Sequence, residues 1–291
     1  MKNISPRPSR PIDPAIVDVL RAVHVAAHAQ RLDFFIAGAL ARDIWLDYIY
    51  QVPVARLTRD IDIGIHVSSW VEFEGLRERL ITDAGFTPDA HRLHRLFMSS
   101  SGVPLDIVPF GGVEDSERRI AWPPKGETVM SLLGFAEAFH AAPILELAPQ
   151  LSVRVTSLAG LAALKLFSWS ERGRETDRDA VDFWLILRNY GDPCRRERLL
   201  LEEDEMLTAE DYDLSRAGAR LLGADMGRIL DGEGAAFLSR MITAELDDSL
   251  SQRLLNVAVK RTAVEDEYAQ LSELLQAVVR GLTQKTKPSV P

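Results

Sequence analysis

Asp60-Ile61-Asp62 places two carboxylates with one residue between them, and farther along the chain a lone Asp106 stands among apolar residues. On a strand, residues two apart share a face, so Asp60 and Asp62 project side by side while Ile61, Ile63 and Ile65 turn toward a core. Adjacent carboxylates repel and raise one another's affinity for a proton or a cation. Hard oxygen ligands on a rigid strand suit Mg²⁺, which needs a few protein carboxylates together with phosphate oxygens and water. An exposed strand with two solvated aspartates is the alternative. Asp106 interrupts the apolar run Val103-Pro104-Leu105-Asp106-Ile107-Val108, where a charge is costly unless it is paired or bound to metal. If that strand lies beside the first, three carboxylates converge. They can then hold two ions about 3.5–4 Å apart, the arrangement used for in-line phosphoryl chemistry. One ion would activate an attacking hydroxyl, and the other would bind a triphosphate and its leaving pyrophosphate. Asp106 is then the general base or a ligand of the nucleophile-side ion. Its alternative is a core aspartate ion-paired to Arg95 or Arg42.

Other residues surround this constellation in the sequence. Gly38 ends a strand-like run, and a glycine at a strand-to-helix turn lets backbone approach a phosphate closely. Arg42 can reach a phosphate, or act as a strut to Asp43 or Asp106. Lys165 interrupts an apolar helix, so its ammonium must snorkel outward or meet anions. Asp179 and Asp182 lie three apart on one helical face, where capping and pairing with Arg178 or Arg172 is the alternative to a functional role. His91 and His94 have no third ligand at metal spacing, which predicts packing or surface histidines.

The elements that must position these groups follow from periodicity. Asp13 before Pro14 predicts an N-capped helix over 14–30. Asp33–Ala37 reads as a buried strand, Ala39–Tyr50 as a helix behind it, and Arg59–Val67 as an alternating strand. Trp70–Ala84 is an amphipathic helix. Leu93–Ser99 and Val103–Phe110 read as a hairpin turning at Ser100-Ser101-Gly102, and Leu151–Val155 is a last short strand. Helices then follow at 157–170, 175–190, 208–223, 225–231, 233–246 and 250–282. Strands and helices first and helices afterwards predict an α+β fold: a catalytic half over 1–155 and a helical half over 156–291 attached to it. Residues 1–12 and Lys285–Pro291 read as loose tails, and Glu202–Glu205 as a solvated face or loop.

Composition narrows the function class. The chain has 291 residues, 46% of them hydrophobic, with a single cysteine, so an internal disulfide and a Cys-rich metal site are excluded. No apolar run is long enough to span a membrane, and the N-terminus lacks the apolar run of a signal peptide, so a cytoplasmic protein is expected. The net charge of −9 argues against a protein that coats nucleic acid along its whole surface. A local patch from Arg92–Arg95, Arg172-Gly173-Arg174 and Arg195-Arg196 is still expected if RNA is the acceptor.

The motifs together resemble a known family. Gly38-Ala39-Leu40-Ala41-Arg42-Asp43, Thr58-Arg59-Asp60-Ile61-Asp62-Ile63-Gly64, Leu105-Asp106-Ile107-Val108-Pro109-Phe110-Gly111, Leu161–Arg172 and Arg178–Asp182 are similar to the AbiEii-like nucleotidyltransferases. These belong to the DNA polymerase β-like superfamily and include type IV toxin–antitoxin toxins. The resemblance implies a nucleotidyltransferase fold with a mixed sheet and flanking helices. It implies a Mg²⁺-dependent transfer of NMP from an NTP, most directly to tRNA, by a toxin with a cognate antitoxin. It implies Asp60, Asp62 and Asp106 as metal ligands, with Gly38, Ala39, Arg42, Lys165, Asp179 and Asp182 at the nucleotide. Many relatives carry Gly-Gly or Gly-Ser where this chain has Gly38-Ala39, and a missing Ser hydroxyl would weaken triphosphate binding. The competing expectations are transfer to a small molecule, transfer to a protein hydroxyl, and a degenerate, non-catalytic nucleotide-binding or antitoxin-like subunit. The intact aspartate set argues against the last.

Overall fold

A computed structural model describes residues 6–54, 57–124, 126, 129–247, 252–259 and 267–284. The chain divides into two compact units, Met1–Ser157 and Leu158–Pro291.

The first unit opens with α1 (Pro14–Ala29), where Pro14 takes the first helical position and the Asp13 carboxylate accepts the Ala15 N–H at 2.9 Å. Its face of Ile16, Val19, Leu20, Val23, Ala26 and Ala27 is buried. Next come β1 (Phe34–Ala37), α2 (Gly38–Asp43), β2 (Ile61–Val67), α3 (Trp70–Asp83), β3 (Phe86–Pro88), β4 (Arg95–Met98) and β5 (Pro104–Gly111). Then follow β6 (Arg119–Ala121), β7 (Val129–Ser131), α4 (Phe135–His140), β8 (Ile144–Ala148) and β9 (Leu151–Val155). The main sheet has seven strands in the order β3-β4-β5-β2-β1-β9-β8, and β6 and β7 form a separate pair. It is mixed: β2 runs parallel to β5 and β1 parallel to β9, while the other neighbours are antiparallel.

The expected helix over Ala39–Tyr50 is only half α-helical. From Ile44 to Ile49 it widens into a π-helix, closed by Tyr50 N–H on Trp45 O at 2.9 Å. Ile44, Trp45, Leu46 and Tyr48 are all buried there, so little of this segment faces solvent to reveal its periodicity. The Trp45 indole donates to Thr156 O at 2.8 Å, and the Thr156 hydroxyl donates to Ile36 O at 2.8 Å. These bonds tie the π-helix to β1 and to the end of β9. The loose tail expected over 1–12 is docked from Ser9 onward: Ser9 donates to Tyr48 O, Arg10 pairs with Asp47, and Ile12 is buried. Residues 1–5 and 285–291 lie outside the described residues.

The two faces of the sheet differ. Ile61, Ile63, Ile65, Leu105 and Ile107 are fully buried on one. On the other, Asp62 and Gly64 of β2 stand beside Asp106 and Val108 of β5, and beside Ala37 and Phe35 of β1. Farther along the same face, Phe35 and Phe110 pack edge to face at 5.7 Å, with Phe135 and Phe139 of α4 over them. The aspartates therefore occupy the open end of a face whose other end is an aromatic cluster.

The second unit is helical: α5 (Leu158–Arg172), α6 (Arg178–Tyr190), α7 (Arg196–Leu201), α8 (Asp204–Ala209), α9 (Leu214–Ile229), α10 (Gly232–Asp247), α11 (Arg253–Val259) and α12 (Glu267–Thr283). The break expected near residue 224 does not exist. A β-carbon at Gly223 would run into the backbone of Val278, and one at Gly281 into that of Arg220. These glycines therefore mark a close helix crossing, not a turn. The expected loop at Glu202–Glu205 is partly helix, since Asp204 opens α8. The single helix expected over 250–282 corresponds to α11 and α12, and residues 260–266 between them lie outside the described residues. Among the described residues, no helix is long and apolar enough to cross a membrane.

Gly64 lies directly under the fully buried Phe35 ring, so a β-carbon there would overlap it. Gly64→Ala is expected to destabilise the first unit by roughly 1–3 kcal/mol, the usual cost of overpacking a rigid site. Urea denaturation checks this. A midpoint equal to that of the parent protein would contradict the packing described.

Candidate active site

Asp62 and Asp106 are Cα partners on adjacent parallel strands, so their side chains leave the same face of the sheet. Asp60 precedes the first residue of β2 and is exposed at the strand's mouth. A chain of hydrogen bonds reaches it from α2. Arg42 Nε donates to Asp43 Oδ1 at 2.8 Å, Thr58 N–H donates to Asp43 Oδ2 at 2.7 Å, and Asp60 N–H donates to Thr58 Oγ1 at 3.2 Å. Arg42 and Asp43 are 8% and 1% exposed. Of its two sequence roles, Arg42 therefore takes that of a strut to Asp43.

Gly38 sits at φ +62°, in the left-handed region that favours glycine. A β-carbon there would overlap the Asp62 carboxylate. The turn and the carboxylate are in direct contact because Ala37 is the cross-strand partner of Asp62. Ala39 follows in the first turn of α2.

Asp106 is held by Arg95, its cross-strand partner on β4. Arg95 Nε donates to Oδ1 at 2.7 Å and Nη2 to Oδ2 at 2.5 Å, a two-pronged pair in which both side chains are mostly buried. The hydrogen bonds to Asp106 raise the pKa of the Arg95 guanidinium. Burial opposes this, and the charges of Asp106, Asp60 and Asp62 add to it. All three aspartates thus act on one arginine. The ion pair anticipated for Asp106 is formed, with Arg95 and not with Arg42. His94 is half-buried and packs on Trp122 with ring centroids 5.2 Å apart. Burial lowers its pKa, against the opposing charge of Asp106.

The convergence expected if the two strands are neighbours has its first element: β5 lies beside β2, with Asp62 and Asp106 in register. Among the described residues, no three His, Cys, Asp or Glu side chains are gathered to hold a metal ion. Arg95 engages both oxygens of Asp106. The donor chemistry still fits a hard divalent cation, since Asp62 and Asp106 stand in register with Asp60 beside them.

In the second unit, Lys165 neither snorkels outward nor waits for an external anion. Its ammonium lies 2.6 Å from Asp182 Oδ2 and 3.2 Å from Asp179 Oδ1. Arg172 Nε donates to Asp179 Oδ2 at 2.7 Å, so Arg172, not Arg178, is the cation from the end of α5 that meets Asp179. Burial alone would raise the Asp179 pKa, but the hydrogen bond from Arg172 and the charge of Lys165 outweigh it and hold it below the ordinary carboxylate value. The three arginine stretches are also largely engaged internally. Arg95 binds Asp106, Arg172 binds Asp179, Arg196 binds Asp192, and Arg195 lies over the Tyr190 ring.

The sequence presents Asp43 only as a partner for Arg42, although an acidic residue ahead of the apolar run Ile44-Trp45-Leu46 is a signal of a buried polar anchor. It offers Arg95 as one of two partners for Asp106. Nothing in the sequence sets the register of β4 against β5, which is what selects it.

The family model described as "Nucleotidyl transferase AbiEii toxin, Type IV TA system" matches residues 19–258. No curated protein matches the sequence. Among solved structures, the antibiotic-resistance factor ANT(2'')-Ia in solution is similar at 16% identity and TM-score 0.36, over 69% of this chain and 98% of that one. The crystal structure of ANT(2'')-Ia in complex with adenylyl-2''-tobramycin is similar at 17% identity and TM-score 0.35, over 69% and 100%. An antigenic nucleotidyltransferase-like protein from Paracoccidioides brasiliensis is similar at 16% identity and TM-score 0.40, over 74% and 94%.

Two measurements test this geometry. Gly38→Ala places a side chain in a left-handed turn, at a cost of about 1–2 kcal/mol, and against Asp62. A lowered melting temperature is expected, and an unchanged one would contradict the contact. Asp179 has a native pKa below its unfolded value, so the stability it contributes is complete above the ordinary carboxylate value of about 3.9 and is lost as the pH falls below it. Asp179→Asn should cost roughly 1.5–3 kcal/mol at neutral pH, the range for hydrogen bonds to charged groups. It should also lose less stability than the parent between neutral pH and the bottom of that acid window. Parallel stability–pH curves for the two proteins would refute the assignment.

Proposed function

Because the chain belongs to the AbiEii family of nucleotidyl transferase toxins of type IV toxin–antitoxin systems and is therefore a nucleotidyltransferase, we propose that it transfers an NMP from an NTP to RNA, with tRNA the first acceptor to test. Asp60, Asp62 and Asp106 carry the reaction in this reading. The observation behind it is the register of β2 and β5, which sets Asp62 beside Asp106 with Gly38 against Asp62. An acceptor hydroxyl forms a bond to the α-phosphorus, the bond from that phosphorus to the bridging oxygen breaks, and pyrophosphate leaves. Asp60, Asp62 and Asp106 would hold divalent cations, and Asp106, as a ligand on the nucleophile side or as the general base, orients the hydroxyl and receives its proton. When bound, such ions supply positive charge at the attacking and leaving oxygens. Gly38 and Ala39 offer the close backbone approach that a phosphate needs. Lys165 is the side chain proposed to meet the triphosphate, exchanging Asp179 or Asp182 for phosphate oxygens. A cognate antitoxin is the protein partner this reading calls for.

A small cationic acceptor is the second reading. The net charge of −9 and the internal pairing of Arg95, Arg172 and Arg196 favour it over a long nucleic-acid track.

The test is incubation of the purified protein with each α-labelled NTP, Mg²⁺ and total cellular RNA. Label is expected in tRNA-sized RNA, reduced roughly 10²-fold or more in Asp62→Ala. Asp106→Asn should be equally inactive and also less stable, because it loosens the Arg95 fork. Retained transfer in Asp62→Ala would sink the site assignment. NTP binding without labelled RNA would move the acceptor to a small molecule or a protein.

A further inference from the structure

We propose that Arg95 is the resident counter-ion of the carboxylate cluster, and that its guanidinium competes with a divalent cation for Asp106. This rests on the reading of Asp60, Asp62 and Asp106 as the metal-binding set.

Asp62 and Asp106 lie abreast on neighbouring strands, about 4.8 Å apart in the hydrogen-bonding direction. Carboxylates on neighbouring strands, with a third at the strand mouth, repel one another, and a nearby positive charge offsets that repulsion. Arg95 supplies it. Its fork covers both oxygens of Asp106 along one edge, at 2.7 and 2.5 Å. A metal ion reaching the same edge would need the same lone pairs and would sit a few ångströms from a guanidinium of like charge. The two cations therefore compete at Asp106.

The choice of arginine has a consequence. A guanidinium stays protonated at any physiological pH, so the pair is not opened by titration. A competing cation opens it, and the partly exposed Arg95 side chain has solvent into which to swing. Asp106 is thus kept paired in the metal-free protein, and how tightly Arg95 holds it sets the metal affinity.

The experiment is Mn²⁺ titration, read from the free-ion paramagnetic resonance signal at fixed ionic strength, on the parent protein and on R95Q, R95K and D62N. Circular dichroism confirms that each is folded. R95Q is expected to bind Mn²⁺ about tenfold more tightly than the parent, equivalent to ~1.4 kcal/mol. R95K should fall between them, since an ammonium cannot hold both oxygens as a fork. R95Q binding no more tightly than the parent, while D62N loses Mn²⁺, overturns the counter-ion role and leaves the metal site standing. D62N binding Mn²⁺ as the parent does overturns the metal-site reading itself. If R95Q does not fold, R95K decides, and an affinity equal to or below the parent's overturns the proposal.

Discussion

Like charges on one face of a sheet impose the main constraint on the first unit. Asp62 and Asp106 are partners in register, and Asp60 lies next to them. Their repulsion has to be offset within the fold, because Asp62 and Asp106 stand only partly in solvent. Arg95 answers it from β4, which pairs with β5 so that Arg95 faces Asp106. The strand order β4-β5-β2-β1 is thus also an electrostatic order: cation, carboxylate, carboxylate, and the bare backbone of Gly38 at the far side.

The same face is kept rigid from behind and from one end. Asp43 accepts from both Arg42 and Thr58, so the segment entering β2 is anchored to α2 before Asp60 is reached. The Phe35, Phe110 and Phe139 cluster fills the other end of the face. His66 lies at that aromatic end, stacked on Phe139, while the carboxylates lie at the open end. The second unit repeats the principle on helices. Lys165 is set in an apolar helix and is tolerated because Asp179 and Asp182, one helical turn apart on α6, both reach it.

The alternation in Asp60–Ile65, the isolated charge at Asp106 and the strand-to-helix glycine at Gly38 are local patterns, and they made the sheet and the candidate carboxylates readable in advance. The capped start of α1 was readable for the same reason, since Asp13 and Pro14 act within one turn. Short or fully buried elements were not readable. β3, β6 and β7 are three residues each, too short for a period to register, and the π-helix is buried on most sides. The break expected near residue 224 fell beside Gly223, whose close approach to Val278 of α12 cannot be seen in the sequence of α9.

Residue type and period 2 are properties of a single segment, so the candidates for phosphoryl chemistry, and the order of their strands ahead of a helical half, are legible along the chain. The pairing of Asp106 with Arg95 and not Arg42, of Arg42 with Asp43, and of Lys165 with two carboxylates comes from the packed fold. Each of those is a choice among several equally charged partners. It is made by strand register and helix packing, which depend on segments far apart in the chain.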